Sequence, residues 1–562
     1  MRTAWVTLLL LLGVPVMVAS PAAAATVGPA EGRDTVVIGL ERTIEPDSLN
    51  WMFATWGPAA RILSLLFVED VVRGADWVAR ARGVEAIPNV RDGTWRLDGE
   101  GMVLRWRIRP RAWHDGRSVT CGDYVFTHRV ASDPRVPVVA ATAISRRIAS
   151  VICPNGAGGR DIEVRWGRRT AYAARSITAF GAQPRHVLEP YYRANPSKLK
   201  EAPYGLDPRV TIGDGAYRFV RWEKGVSITL ESVGSHPILG RPKIRRIIWR
   251  VLPEQRNLVQ ALLSGAIDVL PAPGVRLEFV QPLRERSDAV RLLILPWLFW
   301  EHVDLNFDNP LLRDVRVRRA LAHAINRREM IQQVSGGLDQ ISHTYLPPGH
   351  PGYTRDVPIY PYDPARARAL LEQAGFRPGP DGIRADGTGR RLSLELSTTA
   401  GSGLREQMQR IIQRQLREVG IEIVFVNYPA RTFFVEVTEH RKFTGLALYT
   451  WIMSPTSDCD LLYTSDAIPT AENGWSGENY PGYRSEEMDR VCQAITTEIN
   501  ETRRVALLRE SARIFSRDLP ALPLSNRVIA VAAKPGLRNF SIGFALDEVP
   551  SEVWNAHEWY WE

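Results

Sequence analysis

From Thr35 to Leu40 the chain reads TVVIGL, a short apolar, β-branched run that predicts a central strand. Between Ala59 and Val72, the spacing of Ile62, Leu65, Leu66 and Val68 predicts a helix with those side chains inward. Leu104 to Pro110 alternates as a strand, and Asp115-Gly116 then supplies a tight turn. Thr120, with Asp123 three residues on, has the form of a capping box. Leu258 to Gly265 reads as a helix closed by glycine, followed by a strand through Val269, the αβ unit of a doubly wound lobe.

Further on, Val303, Leu305 and Phe307 alternate with Asp304 and Asn306, which predicts a half-buried strand. Asn309-Pro310 stops it, because proline cannot donate to a ladder. Asp314 caps a helix whose inward face is Val317, Leu321, Ala324 and Ile325, with Arg316, Arg318, Arg319 and Arg327 mostly off that face. A helix from Ala365 to Ala374 is opened by Asp363-Pro364 and closed by Gly375. A strand at Leu392 to Ser397 precedes a helical stripe of Leu404, Met408, Ile411, Ile412, Leu416 and Val419; the methionine is core rather than a cofactor ligand. Ile421, Ile423 and Phe425 alternate as the next strand, Gly445 to Trp451 is another, and Arg503 to Leu519 is a helix.

At 562 residues, several domains are expected. Arg2, the apolar run Val6 to Val18 and the small residues Ala22 to Ala25 form a cleavable secretory leader over residues 1–25. The apolar run is too short to span a membrane, and no cysteine near the cleavage site offers a lipid anchor. The expected product is exported to a periplasm and soluble. The formal charge of +9 is spread along the chain among acids, without a dense basic tract, so no nucleic-acid partner is expected. The four cysteines allow three pairings; two lie in each of two regions, so local pairs Cys121–Cys153 and Cys459–Cys492 are expected. Their spacing matches no zinc motif, and neither a metal nor a cofactor is expected.

As a string, Phe307, Pro310 and then Asp314 through Arg327 are far more specific than a strand and a helix. They resemble the segment that opens the second lobe of extracytoplasmic solute-binding proteins of ABC transporters, in the class that includes the oligopeptide-, dipeptide- and nickel-binding proteins. The similarity extends along essentially the whole mature chain. Trp113-His114-Asp115-Gly116 through Phe126 resembles a turn-and-helix module of that family, which makes His114 a turn residue rather than a catalyst or metal ligand. Thr211 to Trp222 matches a glycine-rich turn before a strand, with Asp214 and Ala216 as departures expected to matter little. Asp363 to Gly375, Trp451 and Asn479 to Asp489 continue the match.

The resemblance implies an α/β, periplasmic-binding-protein type II-like fold of two lobes joined by a hinge. Residues 26–57, 208–295 and 525–562 would form lobe I, 58–207 its extra subdomain, and 300–520 lobe II. Leu292 to Trp300 would be the first crossing, and Pro520 to Leu524 would return the chain. It implies no enzyme but a monomeric receptor that captures a peptide or peptide-like solute and delivers it to permease subunits in the inner membrane. Expected ligand-binding positions are Thr55, Trp56, Trp297, Trp300, Trp451, Ser454, Asp458 and Trp475. In peptide-binding members an aspartate just after the matched tryptophan holds the peptide ammonium; here that position is Ser454, with Asp458 the substitute if Pro455 re-routes the loop. The arginine that dipeptide binders aim at the carboxylate falls near Thr399. A solute without a free α-ammonium is therefore favoured: a blocked peptide, an opine-like compound or an oligosaccharide. A secreted hydrolase is the rival class, but no G-x-S-x-G or H-E-x-x-H motif is present. A structural or chaperone role is the other rival.

Overall fold

The computed structural model describes residues 33–54, 57–138, 147–171, 181–272, 275–453, 458–545 and 549–562; the leader lies outside them. Eleven strands share one mixed sheet: β1 (Thr35–Glu41), β2 (Tyr217–Glu223), β3 (Ser227–Ser232), β4 (Arg246–Leu252), β5 (Val269–Leu270), β6 (Arg291–Leu305), β7 (Gln340–Ile341), β8 (Ser393–Thr399), β9 (Glu422–Tyr428), β10 (Leu446–Ile452) and β11 (Ala521–Ala533). Their order is β9-β8-β10-β6-β11-β5-β1-β4-β3-β2, with β7 beside β11. β1 runs parallel to β4 and β5, with Val36 and Ile38 fully buried, as its apolar run requires.

The long strands β6 and β11 pair antiparallel from Arg291↔Ala533 to Asp304↔Ala521, with the register broken between Pro296 and Trp300. At one end, Ala530 and Ala532 join a core with Leu258, Leu262 and Val280. At the other, Val303, Leu305, Leu522 and Leu524 join a second core with Leu321, Leu396 and Leu416. Two strands thus run between two hydrophobic cores.

The first helix, α1, spans Gly57–Leu66 and stops short of the expected Val72; Val71–Arg73 instead pairs antiparallel with Ala79–Ala81. α2 (Gln255–Ser264) ends at Gly265, whose φ of 81° is the left-handed conformation glycine tolerates best. The expected helix after Asp314 is two, α3 (Val315–Ala324) and α4 (Arg327–Ser335), because Asn326 caps a second start by accepting from the Glu329 amide. Val317, Leu321, Ala324 and Ile325 are buried as their spacing predicts. Arg318 and Arg327 depart from expectation: both are buried. Arg318 donates to the carbonyls of Leu312, Arg313 and Asp518, and Arg327 to those of Ser342, Tyr360 and Pro523. The five donors of a planar guanidinium let each arginine serve several backbone carbonyls at once. α5 (Gly403–Glu418) buries Met408, Ile411, Ile412 and Leu416. Phe425 stays 36% exposed because β9 is the sheet's edge. α6 (Glu501–Asp518) precedes β11.

A separate four-stranded sheet, Trp95–Asp98, Gly101–Arg107, Asp161–Trp166 and Ile148–Ile152, carries the helix Cys121–Ser132, which starts in the Thr120/Asp123 capping box. Disulfides join Cys121 to Cys153 and Cys459 to Cys492. His114 accepts from the Gly213 amide at Nδ1 and contacts the Gly215 carbonyl through Nε2, so it is a turn residue. Gly213 and Gly215 have no room for a side chain: an added Cβ would meet the Leu66 and Leu65 carbonyls at 1.9 and 2.5 Å. Asp214 between them is no minor departure. It accepts from the Val68 amide and from Arg111 Nε, inside a buried network with Asp70 and Tyr124.

Candidate functional site

β1 and β5 end side by side, and α2 begins after β4 on the same edge. The carboxyl edge of parallel strands is where open α/β sheets leave a crevice. A cavity of about 410 Å³ lies there, within the size range of small-molecule sites. Its walls come from the β1 exit (Glu41, Ile44), from α1 (Arg61), from the segment after β5 (Ala272, Val275), and from the crossing strands (Phe299, Arg527). The wall is mostly apolar with several charged groups converging, the composition expected of a binding site.

Alternation decides which side chains of the crossing strands face it. Phe299 and Glu301 lie two apart on one face of β6; Trp300 and His302 lie on the other. On β10, Ile452 stands opposite Phe299 and Thr450 opposite Glu301. Glu301 is 1% exposed and accepts from the Thr450 hydroxyl. Arg405 Nε and Arg527 Nη1 approach it at 3.8 and 3.7 Å. Arg405 also donates to Thr399 and Thr450 at 3.0 Å, so a cation does reach the Thr399 position, from the neighbouring helix α5. Burial pushes the Asp339 carboxyl up to about 6, against the Val528 amide and Arg527, which lower it. At the rim, Arg276 pairs with Glu41 at 3.3 Å. Next to Ala272, burial lowers Arg61 and raises Glu552 from their usual values.

Thr55, Trp56 and Ser454 fall outside the described residues. Trp300 has no exposed surface: it stacks on His302 at 4.1 Å and meets Phe515 edge-on, which leaves no ring face for a solute, so the expected role gives way to a core one. Trp297, 2% exposed, is likewise stacked on Phe544 and against Trp77. Trp451 is half-buried on Tyr480, and Trp475, 38% exposed, meets His440 edge-on; neither joins the cavity wall. Asp458 is buried with Arg504 Nη2 at 3.6 Å, so its charge is matched inside the protein rather than offered to an ammonium. The charged residues that do line the cavity, Glu41, Arg61, Arg276 and Arg527, were missed, as were Glu301 and Arg405 beside Arg527. Arg61 carried a readable signal: it lies four residues before Leu65 on the apolar face of α1, where a charge needs a reason. Arg405 and Arg527 meet only because separate segments fold together.

A crevice at the sheet's carboxyl edge, beside two strands that join two cores, is the layout of a two-lobed solute-binding receptor with the periplasmic-binding-protein type II fold. The chain belongs to the bacterial extracellular solute-binding proteins, family 5, whose middle-region profile matches residues 85–468. It is similar to the oligopeptide-binding protein AppA of Bacillus subtilis, 24% identical over 481 residues that span 83% of this chain and 81% of that one. The di/tripeptide-binding protein 2 of Pseudomonas aeruginosa is 25% identical over 332 residues, 58% of each chain. Among solved structures, the oligopeptide-binding protein of Thermus thermophilus complexed with a pentapeptide superposes with a TM-score of 0.67 at 24% identity, covering 94% of this chain and 96% of that one. The substrate-binding protein CtaP of Listeria monocytogenes gives 0.76 at 18% identity, covering 94% and 100%. Among the described residues, no helix is long and apolar enough to cross a membrane, and no group of three or more His, Cys, Asp or Glu could hold a metal ion.

Proposed function

We propose that this protein is the substrate-binding receptor of an ABC importer, which captures a peptide or peptide-like solute between two lobes and delivers it to permease subunits. The observation that carries the reading is the cavity at the carboxyl edge of β1 and β5, walled by both crossing strands. In this reading residues 26–57, 208–295 and 525–562 form one lobe, 58–207 its subdomain and 300–520 the other lobe, and β6 and β11 bend as the hinge. The protein works as a monomer in the periplasm after cleavage among Ala23 to Ala25. The family relatives that bind oligopeptides and di/tripeptides support the peptide class. The pairing of Asp458 with Arg504 supports a solute without a free α-ammonium, since the nearest substitute for that anchor is already matched. Thermal unfolding against a solute panel tests the reading. A true ligand at a hundred to a thousand times Kd stabilises by about 3–4 kcal/mol. Small-angle scattering with that ligand should show compaction. Stabilisation by no member of a peptide, opine and oligosaccharide panel, or turnover of one of them, would remove it.

A further inference from the structure

Arg527 stands in the partition between two cavities. On one side it lines the cavity of about 410 Å³ at the carboxyl edge of β1 and β5. On the other it lines a small one, of about 10 Å³, that holds Glu301 and Asp339. The break in the β6–β11 register puts it there. Between the pairs Pro296↔Val528 and Trp300↔Asn526, three residues of β6 face Arg527 alone. Such an irregularity leaves backbone unpaired and re-aims a side chain. The guanidinium carbon lies 5.9 Å from the centre of the Phe299 ring, on the same cavity wall, and the ring face holds the cation in place.

The hydrogen-bonding capacity of this group is unused. The side chain is 31% exposed, and none of its nitrogens donates to a described residue. Nε is enclosed, so the donors within reach of a solute are Nη1 and Nη2 at the tip. The carboxylate in ion-pair reach is Glu301, 3.7 Å from Nη1, beyond a hydrogen bond. Glu301 is itself shared: it accepts from the Thr450 hydroxyl, and Arg405 Nε approaches its second oxygen at 3.8 Å. Asp339 acts on Arg527 from further off and accepts from the Val528 amide at 3.1 Å. The other charges on the large cavity's wall have partners: Arg276 pairs with Glu41 at 3.3 Å, and Arg61 donates to the Ala272 carbonyl with Glu552 behind it.

The large cavity thus presents one guanidinium tip with two donors open, beside apolar surface from Ile44, Leu258, Val275 and Phe299. An ammonium would stand against Arg527 and meet no unmatched carboxylate on this wall. A phosphate monoester carries close to two charges, which one guanidinium does not match, and Glu301 and Asp339 lie just behind it. A carboxylate brings a single charge and two in-plane oxygens, the geometry that a planar fork takes at two points.

We propose that Arg527 is the specificity-determining residue of this cavity: it takes a carboxylate of the solute across Nη1 and Nη2, and the receptor therefore selects carboxylates carried on an apolar body over the corresponding amides. The proposal rests on the receptor reading above and names its solute class. A blocked peptide with a free C-terminus and an opine-like compound both supply that chemistry.

The experiment titrates four pools calorimetrically into the full mature protein: N-acetylated di- and tripeptide acids, the same peptides as C-terminal amides, opines, and neutral oligosaccharides. Peptide acids or opines should bind, and which of the two does so identifies the source of the carboxylate. Acids should bind about ten- to a hundredfold more tightly than their amides, the worth of a charge-assisted hydrogen bond. Arg527→Met, which leaves Glu301 beside Arg405, should fold by circular dichroism and lose that preference, with acid affinity down to the level of the amides and amide affinity unchanged within about twofold. Arg527→Lys keeps the charge but not the planar fork, so it should lose a part of the acid affinity. Equal or tighter binding of the amides overturns the proposal. So does an acid affinity unchanged within about twofold in folded Arg527→Met. Should that variant not fold, Arg527→Lys decides, and an undiminished acid affinity there overturns the proposal as well. Binding of oligosaccharides alone overturns it while leaving the receptor intact. Absence of any solute effect, including from molecules extracted with the purified protein, removes the receptor reading itself.

Discussion

Arg111 gives the sharpest test of how the four-stranded subdomain is fastened. Its side chain is 1% exposed, and it donates to Asp214 through Nε at 2.5 Å, to the Gly83 carbonyl at 2.7 Å, and through Nη2 to Asp70 at 3.1 Å and Tyr124 at 2.9 Å. Tyr124 in turn donates to Asp70 at 2.6 Å. Arg111→Met removes the cation and leaves two buried carboxylates without it. Breaking a buried ion pair by removing one partner costs about 3–5 kcal/mol. At a slope of roughly 3 kcal/mol per molar urea, the unfolding midpoint should fall by about 1–2 M. The loss should also depend on pH. Burial already raises the Asp70 carboxyl above its ordinary value, with Arg111 acting the other way. Without the arginine it rises further, and a carboxyl raised on folding loses stability as pH increases through its folded pKa. The variant should therefore lie closer to the wild type at pH 5 than at pH 8. Urea unfolding followed by circular dichroism at both values checks this. A loss under 1 kcal/mol, or an equal loss at the two pH values, would refute the account of the network.

The disulfides close segments of 32 and 33 residues, so breaking either one by a Cys→Ala pair should cost about 3–4 kcal/mol on loop entropy, and denatured, unreduced protein should show no titratable thiol. Asp458→Asn should lower stability, because Arg504 loses its counter-charge, while leaving binding of an N-acetylated ligand within twofold; an amine-dependent loss of binding would give Asp458 the anchor role after all. Burial depresses His343 to about 4 and His557 to about 3, so the unfolded chain takes up their protons first and stability should fall as pH drops from about 6.5 towards 4, with a shallower slope in His343→Gln and His557→Gln by thermal unfolding. Protein recovered from the periplasm should begin just after Ala23, Ala24 or Ala25 by N-terminal sequencing, and an intact Met1 would contradict the leader.

Local pattern was enough for the elements that one face and one cap define. The TVVIGL run is the central strand β1, the Asp314 cap and the inward stripe of α3 stand where spacing puts them, and Thr120 with Asp123 closes its box. These follow from periodicity and from backbone groups that a neighbouring side chain must satisfy, both of which act over a few residues. Family resemblance added the order of segments. What the chain alone could not reveal was where charge is buried. Arg318 and Arg327 look like the solvated side of an amphipathic helix, yet each meets carbonyls from segments far along the chain. Asp214 looks like a small substitution in a glycine turn, and its partner Arg111 is more than a hundred residues away. Trp300 looks like a ring free for a solute, and alternation along β6 turns it to the core while its neighbour Phe299 takes the cavity side. The site itself is of this second kind. Arg61, Phe299 and Arg527 come from three distant stretches, and only folding puts α1, β6 and β11 around one cavity, because proximity in space leaves no period in the sequence.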